Sequence, residues 1–237
     1  YGSFNFSNDS QDEVENSDGS SVDFEEVKNR TVNAAISYSL TPDTKIDFSV
    51  MDSSEERNLL APYYDIERNK YSVGFTTKIS DWSVYLNAYE TSSDAGYHAF
   101  GASPYYTHEI ENKVLSAEVQ NAITANQYLT IGVEQNKTDY FKDYSNPASD
   151  DYKAKGTTQK SIYAQDKISF GENTLTIGAR FDDNSQFDSG TSASIGYVHN
   201  LPNNLAIKTS YGTAFKAPNI KEADSNYVYS HGYPGAS

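Results

Sequence analysis

Apolar and polar residues alternate with a period of two along most of the chain. Between residues 31 and 40, every second residue from Val32 to Leu40 is apolar or aromatic. Similar alternation recurs at residues 45–50, 71–79, 82–88, 115–119, 129–133, 162–168, 175–181, 193–197 and 205–207. Because side chains on a strand alternate between its two faces, each segment predicts a strand with one apolar face. No segment shows a helical apolar stripe, so we predict an all-β fold.

The connections between these segments alternate between short and long. Tight turns are predicted at residues 41–43, 80–81, 124–127, 171–173 and 201–204, and long polar connections at residues 8–26, 53–67, 91–110, 138–158 and 182–190. Outer-membrane barrels combine short periplasmic turns with long extracellular loops. With about eleven strands of about 9–12 residues, one of them near residues 1–7, the pattern predicts part of an antiparallel up-and-down transmembrane β-barrel.

The polar faces of these strands carry charges that a dry core could not hold unpaired, namely Lys45, Lys78, Glu118, Glu134 and Arg180. We therefore expect a lumen filled with water or with another domain. Asp166 departs from the pattern, because it shares a face with Ile162 and Ile168. A charge on the lipid face at mid-membrane depth is destabilising, so either Asp166 lies near a rim or the face is wrongly assigned.

Composition and motifs exclude some classes of binding partner and of catalytic chemistry. The net charge of −15 argues against non-specific binding to nucleic acid or anionic lipid. The chain has no cysteine, which excludes disulfides and thiolate metal sites. It also lacks the motifs of nucleophile elbows and phosphate-binding loops. Asp182 and Asp183 are adjacent on a predicted strand and point to opposite faces, so they are poorly placed as an acid/base pair, and we expect no enzyme.

Three segments near the end of the chain carry a family resemblance. They read YGTAFKAPN at residues 211–219, GARFDDNSQF at residues 178–187 and SIYAQ at residues 161–165. Together they resemble segments of the TonB-dependent receptors, most closely the cobalamin (vitamin B12) transporters among them. The resemblance covers residues 160–220, and upstream it rests on the hairpin rhythm.

The resemblance implies a barrel of 22 strands, plugged by an N-terminal domain and driven by an inner-membrane energy-coupling complex. Residues 1–237 would form about the first half of this barrel, with the plug and the closing strands outside the chain and both ends interior to a longer protein. It implies active import of a large scarce nutrient across the bacterial outer membrane, preferably cobalamin. A ferric siderophore or haem is the alternative cargo. A soluble extracellular β-protein, such as an adhesin, is a third and different reading of the same strands.

The cobalamin-transporting members order their outer loops with calcium, and the resemblance carries two ligands over. Their Asp-Asn-Asp-Gly stretch corresponds here to NSDG at residues 16–19, which places Asp18 as a ligand and Asn16 where the family has its first Asp. The second ligand corresponds to Asp65 in the next long loop. On residue types alone, the carboxylates between residues 9 and 26 fit either calcium or a solvated, mutually repelling loop.

Aromatic residues and histidines complete the candidates. Tyrosines in or beside the long loops could stack on a flat ligand, or could instead pack the loops and form an aromatic girdle, and no single ligand contact is assigned. They are Tyr63, Tyr64, Tyr97, Tyr105, Tyr106, Tyr140, Tyr144, Tyr227, Tyr229 and Tyr233. The four histidines, His98, His108, His199 and His231, have no zinc-site spacing. Haem receptors of the family have Arg where this chain has Lys216, although His231 suits a haem ligand.

Overall fold

The structure, a computed structural model, describes residues 2–11, 26–58, 63–98, 106–144 and 152–217. These residues form eleven strands, as the sequence predicted. They are β1 (Gly2–Gln11), β2 (Glu26–Thr41), β3 (Thr44–Asn58), β4 (Tyr63–Ile79), β5 (Trp82–His98), β6 (Tyr106–Thr124), β7 (Gln127–Tyr144), β8 (Tyr152–Phe170), β9 (Asn173–Asn184), β10 (Gly190–Leu201) and β11 (Leu205–Gly212). All eleven belong to one sheet in which each strand pairs with the next, which confirms the up-and-down antiparallel fold.

Tight turns join the strands at one end of the sheet, at the five places that the sequence predicted. Gly171 (φ 58°), Asn203 (φ 63°), Asn204 (φ 59°) and Ser80 (φ 55°) adopt left-handed backbone conformations in three of them. Glycine and asparagine reach this region at low cost, which explains their use in hairpin turns. In outer-membrane barrels the short turns are periplasmic, so the opposite end of this sheet is the extracellular end.

One face of the sheet carries a belt of exposed apolar side chains beside the tight turns. Its members include Phe48, Val50, Val73, Leu86, Leu115, Ile131, Val133, Ile162, Ile177, Phe181, Ile195 and Ile207, each between 38% and 61% exposed. The pairing register aligns them across neighbouring strands, as in the row Val73, Ala88 and Leu115. Among the described residues no second sheet covers this face, so the belt is the outward, lipid-facing surface.

The strands run further toward the extracellular end than the sequence predicted. Strands β2–β8 are 15 to 19 residues long, so the expected length of about 9–12 residues is wrong for them. Much of the segments predicted as loops at residues 53–67, 91–110 and 138–158 is therefore paired strand. Above the belt the outward face also carries polar residues, among them Asp52, Glu67 and Asp94. Alternation disappears there while the backbone pairing continues.

Asp166 lies on the apolar face of β8, four residues before the strand ends at Phe170. Its Oδ2 accepts a hydrogen bond of 2.7 Å from Nε2 of Gln127, the first residue of β7. Asp166 thus lies near the periplasmic rim, which confirms the first of the two alternatives that the sequence left open. Separately, the described residues contain no helix long and apolar enough to cross a membrane.

Candidate functional site

The inner face of the sheet, opposite the belt, carries two clusters of paired polar side chains. The first, which we call the β3–β5 inner patch, consists of Glu55, Arg57, Tyr64, Arg68, Lys70, Tyr89 and Tyr97. It lies toward the extracellular end. The register places Arg57 opposite Tyr64 and Tyr64 opposite Tyr97, so alternate residues of three strands meet on one face.

Glu55 lies at the centre of the β3–β5 inner patch and is 7% exposed. Nη1 of Arg68 donates to its Oε2 at 2.7 Å, and Nε of Arg57 donates to its Oε1. Burial raises the pKa of Glu55, but the hydrogen bonds from Arg68 and Arg57 lower it more, so the pKa lies below its usual range. The carboxylate stays charged and holds both guanidinium groups in place.

This arrangement predicts a pH-dependent contribution to stability. A carboxyl whose pKa is depressed on folding stabilises the protein above its unfolded pKa of about 4.3, and this contribution is lost as the pH falls through the lower folded pKa. The variant Glu55→Gln should therefore lower the urea midpoint of the full-length protein in micelles at neutral pH, and the difference from the wild type should narrow below about pH 4. A gap that is independent of pH would contradict the role assigned to Glu55.

Aromatic rings surround this charged centre on the same face. The rings of Tyr64 and Tyr97 are 5.0 Å apart and tilted by 49°. Nζ of Lys70 lies 5.1 Å from the centroid of the Tyr89 ring, which is a cation–π distance. Further along the sheet, the rings of His108 and Tyr140 are 6.2 Å apart. Tyr64, Tyr97 and Tyr140 were expected in or beside loops, but all three lie on strands and face inward.

The other candidate tyrosines fall into two groups. Tyr63, Tyr106 and Tyr144 lie at strand ends. The remaining ones, Tyr105, Tyr227, Tyr229 and Tyr233, lie outside the described residues, as does His231. Among the other histidines, Nδ1 of His199 lies 2.8 Å from Oδ1 of Asn173 near the periplasmic end.

The second cluster, which we call the β6–β9 inner network, centres on Arg180. Its Nη2 donates to Glu134 at 2.8 Å and to Ser161 at 2.7 Å, and its Nε donates to Asp182 at 2.8 Å. Asp182 is 4% exposed and also accepts from the Ser161 hydroxyl. The inward charges Glu134 and Arg180 that the sequence indicated are therefore paired to each other.

Tyr163 extends this network toward the periplasmic side. Its hydroxyl donates to Oε2 of Glu118 at 2.7 Å, and Arg180 lies 5.7 Å above its ring. The ring covers Gly132 on β7, where a Cβ atom would overlap it. The network is satisfied internally, so it stiffens the wall of the lumen.

The two predicted calcium ligands have different outcomes. Asp18 lies outside the described residues. Asp65 lies on β4 rather than in a loop, points to the outward face, and its Oδ1 is 3.0 Å from Nε2 of His98. Across the described residues, no group of three or more acidic or histidine side chains is arranged to hold a metal ion. Calcium ordering of the outer loops stays a prediction.

Some of the residues that matter here were not singled out from the sequence. Arg57, Arg68 and Lys70 fall where a loop was expected or at the edge of a strand segment, so the sequence did not show that they share a face. Alternation along the strand could have indicated it, because Arg57 lies on the same odd-numbered polar face as Lys45 once β3 is extended. By the same alternation, Asp182 and Asp183 lie on opposite faces, as predicted.

An antiparallel meander with an exposed apolar belt on one face and paired charges on the other is the wall of a transmembrane β-barrel. The chain belongs to the TonB-dependent receptor-like β-barrel family, whose model matches residues 3–237. It is accordingly an outer-membrane protein. The family assignment confirms the resemblance to TonB-dependent receptors, but not its finer part, the likeness to the cobalamin transporters among them.

Two known proteins illustrate the relationship. The chain is 25% identical over 257 residues to the ferric enterobactin receptor PirA of Pseudomonas aeruginosa, covering 86% of this chain and 34% of that protein. It is 30% identical over 119 residues to the probable TonB-dependent siderophore receptor PirA of Acinetobacter baumannii, covering 44% of this chain and 16% of that protein. The chain thus spans about a third of the first relative and less of the second.

A crystal structure shows the same fold. The siderophore receptor PirA from Pseudomonas aeruginosa superposes with a TM-score of 0.73 at 27% sequence identity, over 85% of this chain and 36% of that one. The superposition supports an all-β antiparallel sheet that forms part of a larger barrel.

Proposed function

We propose that the chain forms part of the wall of a TonB-dependent receptor that imports a ferric siderophore across the outer membrane. The two relatives are named as siderophore receptors, which supports the siderophore alternative of the sequence analysis better than cobalamin. Energy coupling through a plug domain belongs to this proposal. No covalent chemistry by the chain is required.

The observation that carries the proposal is the opposite charge of the two faces of β3–β5, acidic outside and net positive inside. The outward face of these strands carries six carboxylates and no Lys or Arg: Asp52, Glu56, Asp65, Glu67, Glu90 and Asp94. The inner face carries five cations and two carboxylates: Lys45, Arg57, Arg68, Lys70 and Lys78, with Asp47 and Glu55. The chain as a whole is strongly acidic, yet this face of its lumen is net positive.

Such a face suits an anionic ligand with aromatic iron-binding groups. Ferric complexes of catecholate siderophores carry negative charge and flat rings. Arg57 donates Nε to Glu55, and its side chain is 47% exposed on this face. Guanidinium groups pair with anionic oxygens, and neighbouring tyrosines such as Tyr64 and Tyr97 offer stacking surfaces.

We expect the variant Arg57→Gln to weaken binding of ferric enterobactin to the full-length receptor about fivefold, since an exposed charge pair contributes about 1 kcal/mol. A matched control is Arg30→Gln, which makes the same change on the outward face of β2. Fluorescence quenching by the ferric ligand measures the affinity. Equal affinities for the two variants would remove the β3–β5 inner patch from the ligand path.

The cargo itself is tested in a deletion strain. The siderophore proposal expects lost uptake of ferric siderophore with growth on cobalamin retained. Retained iron uptake with lost growth on cobalamin would overturn the siderophore reading and restore the cobalamin one.

A further inference from the structure

A pocket opens on the inner face of β1–β4, at the height of the extracellular border of the apolar belt. One row of the register carries longer side chains: Asn5, Asn33, Met51 and Lys70. The next row toward the periplasmic end carries small side chains, among them Ala35 and Ser49, which leave a space of about 200 Å³. Pockets that enclose a drug-sized ligand measure about 300–1,000 Å³, so this pocket holds a single ring rather than a whole siderophore.

The charge around the pocket is positive. On the inner face of β1–β5, the two rows of the pocket and the next row toward the extracellular end contain Lys70 and Arg68 and no carboxylate. On β3, the inward carboxylates of the adjoining rows are already paired, Asp47 with Lys45 at 2.9 Å and Glu55 with Arg68 at 2.7 Å. Lys70 therefore supplies the charge that the pocket presents to a ligand.

The side chains of the pocket match the chemistry of a catecholate ring. Nζ of Lys70 lies 5.1 Å from the centroid of the Tyr89 ring, and an ammonium in that position keeps N–H donors for an anionic oxygen. The side-chain amides of Asn5 and Asn33 supply further donors. Met51, the only methionine of the chain, lines the pocket with a polarisable thioether, which makes favourable contacts with aromatic rings.

We propose that this pocket holds one catecholate ring of the ferric siderophore. The ring lies against Met51, and its anionic oxygen accepts a hydrogen bond from Lys70. The inference rests on the proposed function, because it assigns a subsite to the cargo proposed there. Since Lys70 belongs to both the pocket and the β3–β5 inner patch, the patch contacts the rest of the same ligand. The pocket thereby favours ligands with flat anionic rings over hydroxamates, which lack such rings.

The position of the ring can be tested directly by NMR. The full-length receptor, labelled with ¹³C at its methionine methyl groups, is titrated in micelles with gallium enterobactin, the diamagnetic analogue of the ferric complex. The signal of Met51, assigned through the variant Met51→Leu, should move upfield, because the face of a bound ring shields the methyl group. A Met51 signal that stays in place while the ligand binds would overturn the proposal.

Two variants test the pocket through the affinity for ferric enterobactin, measured by fluorescence quenching. Ala35→Leu fills the pocket without changing its charge and should weaken binding roughly tenfold. Lys70→Gln removes the charge and should weaken binding about fivefold. The matched controls Ala206→Leu and Lys208→Gln make the same changes on the inner face of β11 and should bind as the wild type does.

The outcomes separate this inference from the proposed function. If the wild type does not bind ferric enterobactin, the siderophore proposal fails and the pocket assignment fails with it. If the wild type binds and both pocket variants keep its affinity, only the pocket assignment fails. Lower stability of Ala35→Leu with unchanged affinity would show that another part of the receptor fills the pocket, which also overturns the assignment. The heat-modifiable gel shift of a folded barrel verifies that every variant is folded.

Discussion

Replacing Arg180 with methionine is expected to lower the free energy of unfolding of the full-length receptor by about 2 kcal/mol. Arg180 pairs with Glu134 and Asp182, and Asp182 is 4% exposed. Methionine keeps most of the side-chain volume and removes the charge, which leaves two carboxylates close together. Losing one partner of a fully buried pair costs about 3–5 kcal/mol. We expect less because Arg180 and Glu134 are each about one third exposed.

Urea unfolding in detergent micelles, followed by tryptophan fluorescence, measures this effect. Arg30→Met is the matched control, since Arg30 is exposed on the outward face of β2, and it should change stability by less than about 0.5 kcal/mol. Adding Asp182→Asn to Arg180→Met should recover part of the loss, because the stranded carboxylate is then neutral. If the two methionine variants unfold at the same urea concentration, the β6–β9 inner network does not stabilise the wall.

The belt and its turns could be predicted from the sequence, because one face of each strand is apolar there. Alternation around Val32–Leu40 placed the lipid face of β2 correctly, and the inward positions of Glu134 and Arg180 followed from the same rule. The two features that most restrict the sequence, an apolar lipid-facing surface and a short turn, both lie at the periplasmic end. Local sequence is most informative where one face meets hydrocarbon and the other meets water.

The extracellular half could not be predicted in the same way, because water touches both of its faces. Glu55 and Arg57 lie in a stretch of polar residues whose pattern predicts a loop, and only pairing with β4 shows that they continue β3. The partners of Glu55 depend on register across two strands. A register is set by the apolar rows and turns below, not by the residues of the patch. For the same reason Asp65 was expected in a loop, whereas it faces outward beside His98.

Replacing Gly132 with alanine is expected to destabilise the receptor by about 2 kcal/mol. Gly132 lies on the inner face of β7, directly between Glu118 and Tyr163 in the register. The ring of Tyr163 lies over it, and a Cβ atom there would overlap the ring. The ring must move, so its hydrogen bond to Glu118 and its stacking under Arg180 are both disturbed. Glycine is therefore required here by a close approach rather than by its backbone freedom.

Gly74 provides the control, since it occupies an inward position on β4 where an added Cβ would lie 3.6 Å from Cβ of Asp47, an ordinary contact. Gly74→Ala should leave stability unchanged or raise it slightly, because alanine restricts the unfolded chain. The decisive comparison is Gly132→Ala in a Tyr163→Ala background, where the overlap is gone and the substitution should cost nothing. A cost of about 2 kcal/mol in that background as well would show that the penalty does not come from Tyr163.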